Sequence, residues 1–152
     1  MTHTLATTLQ PTLVHTLRMP IRWGDMDAMG HVNNTVYFRY IEQARISWFD
    51  EIACTPDPAG EGPVIVNAHC SFLKQLKYPG EIEISTFVGP PGRSSFDMFH
   101  QIHMVGADGN PGVLHAEGGA KIVWVNFSAE KSVPLPAGIC QLLPPQKRLP
   151  PT

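Results

Sequence analysis

From Asn34 to about Ile52 the apolar side chains recur at helical spacing. Val36, Tyr40, Ala44, Trp48 and Ile52 fall every fourth residue, and Tyr37, Ile41 and Phe49 widen the stripe. Arg39, Glu42, Gln43, Ser47 and Asp50 take the remaining face, while Phe38 and Ile46 lie off the stripe and point to a second covered face. Asn33 or Asn34 suits the N-cap, and Pro56 and Pro58 stop the helix.

Elsewhere the period is two. His15 to Trp23 reads as a first strand. Val64, Val66, Ala68, Cys70 and Phe72 alternate with Asn67, His69 and Ser71. Ile82, Ile84 and Thr86 alternate with Glu81, Glu83 and Ser85, and Phe96, Met98, His100, Ile102 and Met104 with Asp97, Gln101 and His103. Residues 107–112 (Ala-Asp-Gly-Asn-Pro-Gly) form a turn, and Leu114 to Phe127 supplies the last strand. Gly118-Gly119 inside that strand signals a bulge or a close approach of backbone. The order is strand, long helix, four strands. One amphipathic helix has to be covered by one sheet, so the expected fold is α+β: a strongly twisted antiparallel sheet of about five strands around a single helix.

The Thr-rich start, residues 1–12, is expected to be a flexible tail, the folded domain to span 13–131, and residues 132–152, with six prolines, to form an extended tail. At 152 residues this is one domain with a core of its own. A net charge of −2 argues against nucleic acid as a partner, because a phosphate backbone needs a basic face. The three cysteines, Cys54, Cys70 and Cys140, have no CxxC spacing, which points to reduced thiols rather than a disulfide framework or a zinc site. No run approaches the roughly 20 apolar residues of a membrane span, and the first residues lack the pattern of a signal peptide, so the expected location is cytoplasmic.

The chemistry is concentrated in Arg22-Trp-Gly-Asp25-Met-Asp27-Ala-Met-Gly30-His31-Val-Asn33-Asn34. Two carboxylates, a histidine and two asparagines precede a helix start, whose unpaired N–H groups and positive dipole end can hold a carbonyl oxygen as negative charge develops on it. A thioester needs little more: its carbonyl is electrophilic and a thiolate leaves without a strong acid. One carboxylate can attack the carbonyl or deprotonate a water. Asp27 is the candidate, since the loop can fold it back to the helix start. Glu42 lies about 12 Å further along the helix at about 1.5 Å per residue. Asp25 reads as structural, bonding loop amides, and His31 as a residue that fixes the loop or, able to act as a base at neutral pH, takes part in catalysis or substrate contact.

This stretch resembles the 4-hydroxybenzoyl-CoA thioesterase-like branch of the hotdog superfamily, in Asp25-Met-Asp27-Ala-Met-Gly30-His31-Val32-Asn33-Asn34, Tyr37, Glu42, Ala44 and Arg45. Weaker resemblance continues through Ser71-Phe72-Leu73, 92–96 and 121–126. The resemblance implies a hotdog fold and hydrolysis of an acyl-CoA to free acid and CoA. It makes Asp27 the nucleophile or general base and the Asn34 backbone N–H the group that polarises the carbonyl. It further implies a homodimer with the site between subunits, and a homotetramer as a dimer of dimers. Having His31 and Asn33-Asn34 in the loop, the chain departs from the family's namesake, which leaves the namesake's aromatic substrate open.

Arg93, Ser94 and Ser95 after the Gly-Pro-Pro-Gly turn suit a CoA phosphate, and Lys74 is a further candidate for CoA contact. His69, His100, His103 and His115 lack metal-ligand spacing with a carboxylate, so no metal is expected, and no cofactor either, CoA being part of the substrate. An EF-hand starting at Asp25 would need an acid where Val36 stands, and no GxSxG elbow is present. The alternatives to hydrolysis are a non-catalytic acyl-CoA-binding module and a hotdog dehydratase or hydratase.

Overall fold

In the computed structural model, which describes residues 11–145, the apolar stripe becomes a helix, α1 (Asn34–Glu51). Around it wrap β1 (Thr12–Pro20), β2 (Glu61–Phe72), β3 (Glu81–Val88), β4 (Ser95–Val105) and β5 (Pro111–Asn126). A two-residue β6 (Lys131–Ser132) pairs with β5, and a short α2 (Ala137–Cys140) closes the described chain. The sheet is antiparallel in the order β1-β3-β4-β5-β2, so β1 and β2 are its edges. The α+β architecture and the single covered helix are those expected.

The helix buries Tyr37, Tyr40, Ile41, Ala44, Trp48 and Phe49. Around Tyr37 and Ile41 the sheet contributes Ile82, Ile84, Ile102 and Ala116; around Trp48 and Phe49 it contributes Phe96, Met98, Ile122 and Trp124. The aromatic rings of the second group meet edge to face, Phe49 with Trp124 at 6.0 Å and Trp48 with Phe96 at 6.3 Å. His15 pins β1 to the helix, with Nε2 3.0 Å from Ser47 Oγ and Nδ1 2.6 Å from Glu51 Oε2.

Close approach accounts for Gly118-Gly119. A Cβ on Gly118 would lie 2.7 Å from Ile41 Cδ1, and one on Gly119 2.7 Å from His69 Nε2. There is no bulge at the pair; the register shifts lie elsewhere, among them Ile65/Asn67 in β2 and Ile102/His103 in β4.

Two boundaries differ from expectation. The first strand begins at Thr12 and ends at Pro20, not Trp23, because the chain then turns through a 3-10 segment, Trp23–Asp25, closed by the Arg22 N–H on Asp25 Oδ2. The expected tail 1–12 lies mostly outside the described residues. The stretch from 132 is folded as far as it is described. Leu135, Ile139 and Leu143 are buried beside Trp48, and α2 fits between Pro136, which serves as its N-cap, and Pro144. Proline is excluded from a helix interior but not from its start, so a proline-free window of seven residues accommodates one turn. No described helix is long and apolar enough to cross a membrane.

Among the described residues, Arg45, Thr86, His100 and His115 are buried polar groups. His100 on β4 is buried under α1, with Nδ1 3.1 Å from Thr86 Oγ1 and Nε2 without a partner. Burial, helped by the nearby Arg45 charge, pulls its pKa down to about 3. In the unfolded chain His100 takes up a proton below about pH 6.5. The unfolded state therefore binds more protons between about pH 6.5 and 3, and stability falls as pH drops through that window. The loss by pH 4 is roughly 3 kcal/mol. His100→Gln, which does not titrate, is expected to flatten this acid limb in urea melts between pH 4 and 7; an unchanged slope would assign the acid sensitivity to other groups.

Candidate active site

The loop from Arg22 to Asn33 is held by its own polar residues. Asp25 Oδ2 accepts from the Arg22 N–H at 2.9 Å and from the Tyr40 hydroxyl at 2.6 Å, and the Asp25 carbonyl accepts from the Asn33 N–H at 3.0 Å. Asp25 is thus the structural carboxylate the sequence suggested. Tyr40 is buried, and burial together with the Asp25 charge raises its pKa, so it stays a donor. Asp27 begins a tight turn. Its N–H donates to the His31 carbonyl at 2.8 Å, its carbonyl accepts from the Gly30 N–H at 3.0 Å, and its Oδ1 accepts from the Met29 N–H at 2.9 Å. Gly30 takes φ +76°, a left-handed conformation that glycine adopts without steric cost.

Asn33 caps the helix. Its Oδ1 accepts from the Thr35 N–H at 2.9 Å and the Thr35 hydroxyl at 2.7 Å, and its carbonyl accepts from the Val36 N–H at 2.9 Å. The Asn34 N–H finds no acceptor among the described residues. It stands at the first helical position, where an N–H has no intrahelical partner.

Asp27, His31 and Asn34 line one half-open cavity of about 360 Å³. Its other walls are Met29, Val32, Tyr37, Phe72 and Gln75. The segment after β2 is tied in by two bonds, Val32 N–H to the Leu76 carbonyl at 2.9 Å and Leu76 N–H to the Tyr37 hydroxyl at 3.1 Å. The Tyr37 and Phe72 rings meet edge on at 4.9 Å. Lys74 is exposed beside this rim, one residue from Gln75. Local patterning could not find Phe72 and Gln75, which lie some forty residues beyond the loop and arrive by the pairing of β2.

Arg93, Ser94 and Ser95 are elsewhere. The Arg93 carbonyl accepts from the Leu135 N–H and the Ser94 carbonyl from the Trp124 N–H, which fixes these residues near the Phe49 end of α1. At about 1.5 Å per residue, that end is over 20 Å from the helix start. One chain therefore does not bring the three to Asp27. Among the described residues, no group of three or more His, Cys, Asp or Glu side chains could hold a metal ion. A separate cavity of about 280 Å³ on the outer sheet face, with His69, Phe99 and Glu117 in its walls, has no helix start beside it.

Residues 21–143 match the model of the thioesterase-like superfamily. The chain belongs to that superfamily. The fold is the hotdog fold. The PA2801 protein of Pseudomonas aeruginosa, described as a candidate thioesterase, is 37% identical, with a TM-score of 0.80 over 86% of this chain and 98% of that one. The gentisyl-coenzyme A thioesterase BH1999 shares the fold at 24% identity and a TM-score of 0.71, covering 82% of this chain and 98% of that one. The Bacillus subtilis protein YsmA is 26% identical over 83 residues, and the match spans 55% of this chain and 56% of that relative's length.

Proposed function

We propose that this protein hydrolyses an acyl-CoA to the free acid and CoA. The supporting observation is that the Asp27 carboxylate and the unpaired Asn34 N–H share one cavity whose remaining walls are mostly apolar. The thioester carbonyl oxygen takes up the Asn34 N–H, aided by the helix dipole. Asp27 either attacks the carbonyl carbon, forming an anhydride that water then opens, or removes a proton from the attacking water. By either route the C–S bond breaks, the CoA sulfur leaves as thiolate, and water supplies the oxygen of the new acid. The Met29 N–H on Oδ1 holds the Asp27 carboxylate in one orientation. His31 supports the turn through its carbonyl and lends its ring to the wall.

The working unit in this reading is a homodimer paired through β2. That strand is a sheet edge of twelve residues with Ile65, Val66 and Phe72 exposed, the kind of edge that proteins cover. A two-fold pairing runs the strands antiparallel and sets the Phe72 end of one copy beside the Glu61 end of the other. The Asp27 cavity then gains a second wall, and the Arg93–Ser95 turn of the second copy moves toward it to meet CoA phosphates, with Lys74 at the rim.

A panel of acyl-CoAs tests the activity. Release of free CoA by purified protein, followed with a thiol reagent, is the expected result. Tight binding without turnover would indicate a binding module instead, and gain or loss of an enoyl chromophore a dehydratase or hydratase.

A further inference from the structure

Arg45 is a charged residue without a use in the site. It is 8% exposed, on the β2 flank of α1, and its Nε has no hydrogen-bond partner. Among the described residues, no carboxylate lies within ion-pair distance of it. It opens onto a cavity of about 240 Å³ whose walls include Glu42, Phe49, Pro63 and Ile65, so its reach is toward the open edge of β2. A buried guanidinium nitrogen without an acceptor is unfavourable, which makes the single chain an incomplete environment for the Arg45 Nε.

Glu42 stands one turn away on the same flank. Its carboxylate is half-exposed and hydrogen-bonds only Arg39, at 2.9 Å on the helix surface, an exposed pair that contributes little, while its charge acts on Arg45 beyond ion-pair distance. The chain thus presents on one flank a carboxylate free to turn and a cation that lacks one.

The position of the two along β2 matters. Tyr37 packs on Phe72, and Ile41 lies over Gly118, which pairs with Cys70. Further along the helix, Phe49 packs on Trp124, which pairs with Pro63. The helix therefore runs opposite to β2, and the stretch between Glu42 and Arg45 lies over the strand's middle. When two β2 edges pair along their full length, the two-fold axis passes through that middle, and an isologous contact places residue i of one copy on residue j of the other and j on i.

We infer that Arg45 of each copy pairs with Glu42 of the other, so that two reciprocal ion pairs lock the dimer across the β2 edges. The inference rests on the β2-paired dimer proposed above and adds the residues that select its register. Phe38, 37% exposed on the same flank, and Ile65 supply the apolar surround that excludes water from the pairs.

Charge reversal tests it by sedimentation velocity, with CoA release measured in parallel. Glu42→Arg sets four arginines around the axis and is expected to weaken the dimer on the order of tenfold or more. Arg45→Glu does the same with four glutamates. Mixing the two variants is expected to restore a dimer, since each Arg then faces a Glu, and E42R/R45E in one chain restores it too. If Arg45→Glu fails to fold, Glu42→Arg and the double variant carry the test. A Glu42→Arg protein that dimerises as tightly as wild type, or a double variant no tighter than Glu42→Arg, would overturn the pairing. A monomeric wild type would overturn both the pairing and the inter-subunit site. A wild type that releases no CoA, with the dimer still responding to charge reversal, would leave the pairing standing and remove the proposed reaction.

Discussion

Asp27→Asn is expected to lower kcat on the order of a thousandfold while leaving the fold and CoA binding close to wild type. The asymmetry comes from the two roles of one side chain. As a structural group, Asp27 accepts the Met29 N–H through Oδ1, and an asparagine carbonyl accepts that bond equally well. The turn is also held by the main-chain bonds from Asp27 to His31 and from Gly30 to Asp27, which the substitution does not touch. As a chemical group, the carboxylate is the nucleophile or base, and an amide at neutral pH is neither. Losses of about 10² to 10⁴ are usual when such a group is removed. Circular dichroism and binding of a non-hydrolysable acyl-CoA analogue separate the roles. A variant that turns over at near-normal rate would move the chemistry to another group, and one that fails to bind the analogue would make Asp27 a structural residue.

How much of this could be read in the sequence follows from where the interactions lie along the chain. Asp27, Asn33 and the glycine of the turn act on neighbours within a few residues, as Asp25 does at Arg22, so spacing placed them, and the structure finds Asp25 and Asn33 holding the loop and cap as expected; the Asp25 bond to Tyr40, fifteen residues on, was not legible. The helix was legible because its apolar stripe is continuous. The cavity was not, since Phe72 and Gln75 reach it only through strand pairing across the sheet. The C-terminal stretch misled for a related reason: proline density argues about local helix and says nothing of burial, yet Leu135, Ile139 and Leu143 carry the apolar character that draws it onto Trp48. His100 was read correctly as lying on a strand pattern, but only the register shows it facing Thr86 beneath the helix. Arg45 falls neither on the apolar stripe nor among the polar-face residues, and only the structure shows it nearly fully covered.

The second large effect isolates the other half of the site. Asn34→Pro is expected to keep the helix and to lose about 10² to 10³ in kcat. Proline removes the N–H, which at the first helical position carries no intrahelical bond, and its fixed φ favours that position. The residue before a proline must be extended, and Asn33 already is, at φ −60° and ψ 139°. The cap bonds from Asn33 Oδ1 to Thr35 are untouched. Asn34→Ala serves as the control: it deletes the side chain, keeps the N–H, and is expected to retain most of the activity. If both variants behave alike in single-turnover assays, the side chain or the local shape of the loop matters and the backbone donor does not. If only the proline variant is slow, the donor is the polarising group. Because Asp27→Asn and Asn34→Pro remove groups that act on the same carbonyl, their combination is expected to cost less than the product of the two, as for residues that work as a unit. Full multiplicativity would place Asp27 and the helix start in separate steps, for instance with Asp27 acting after the acyl group has left the helix start.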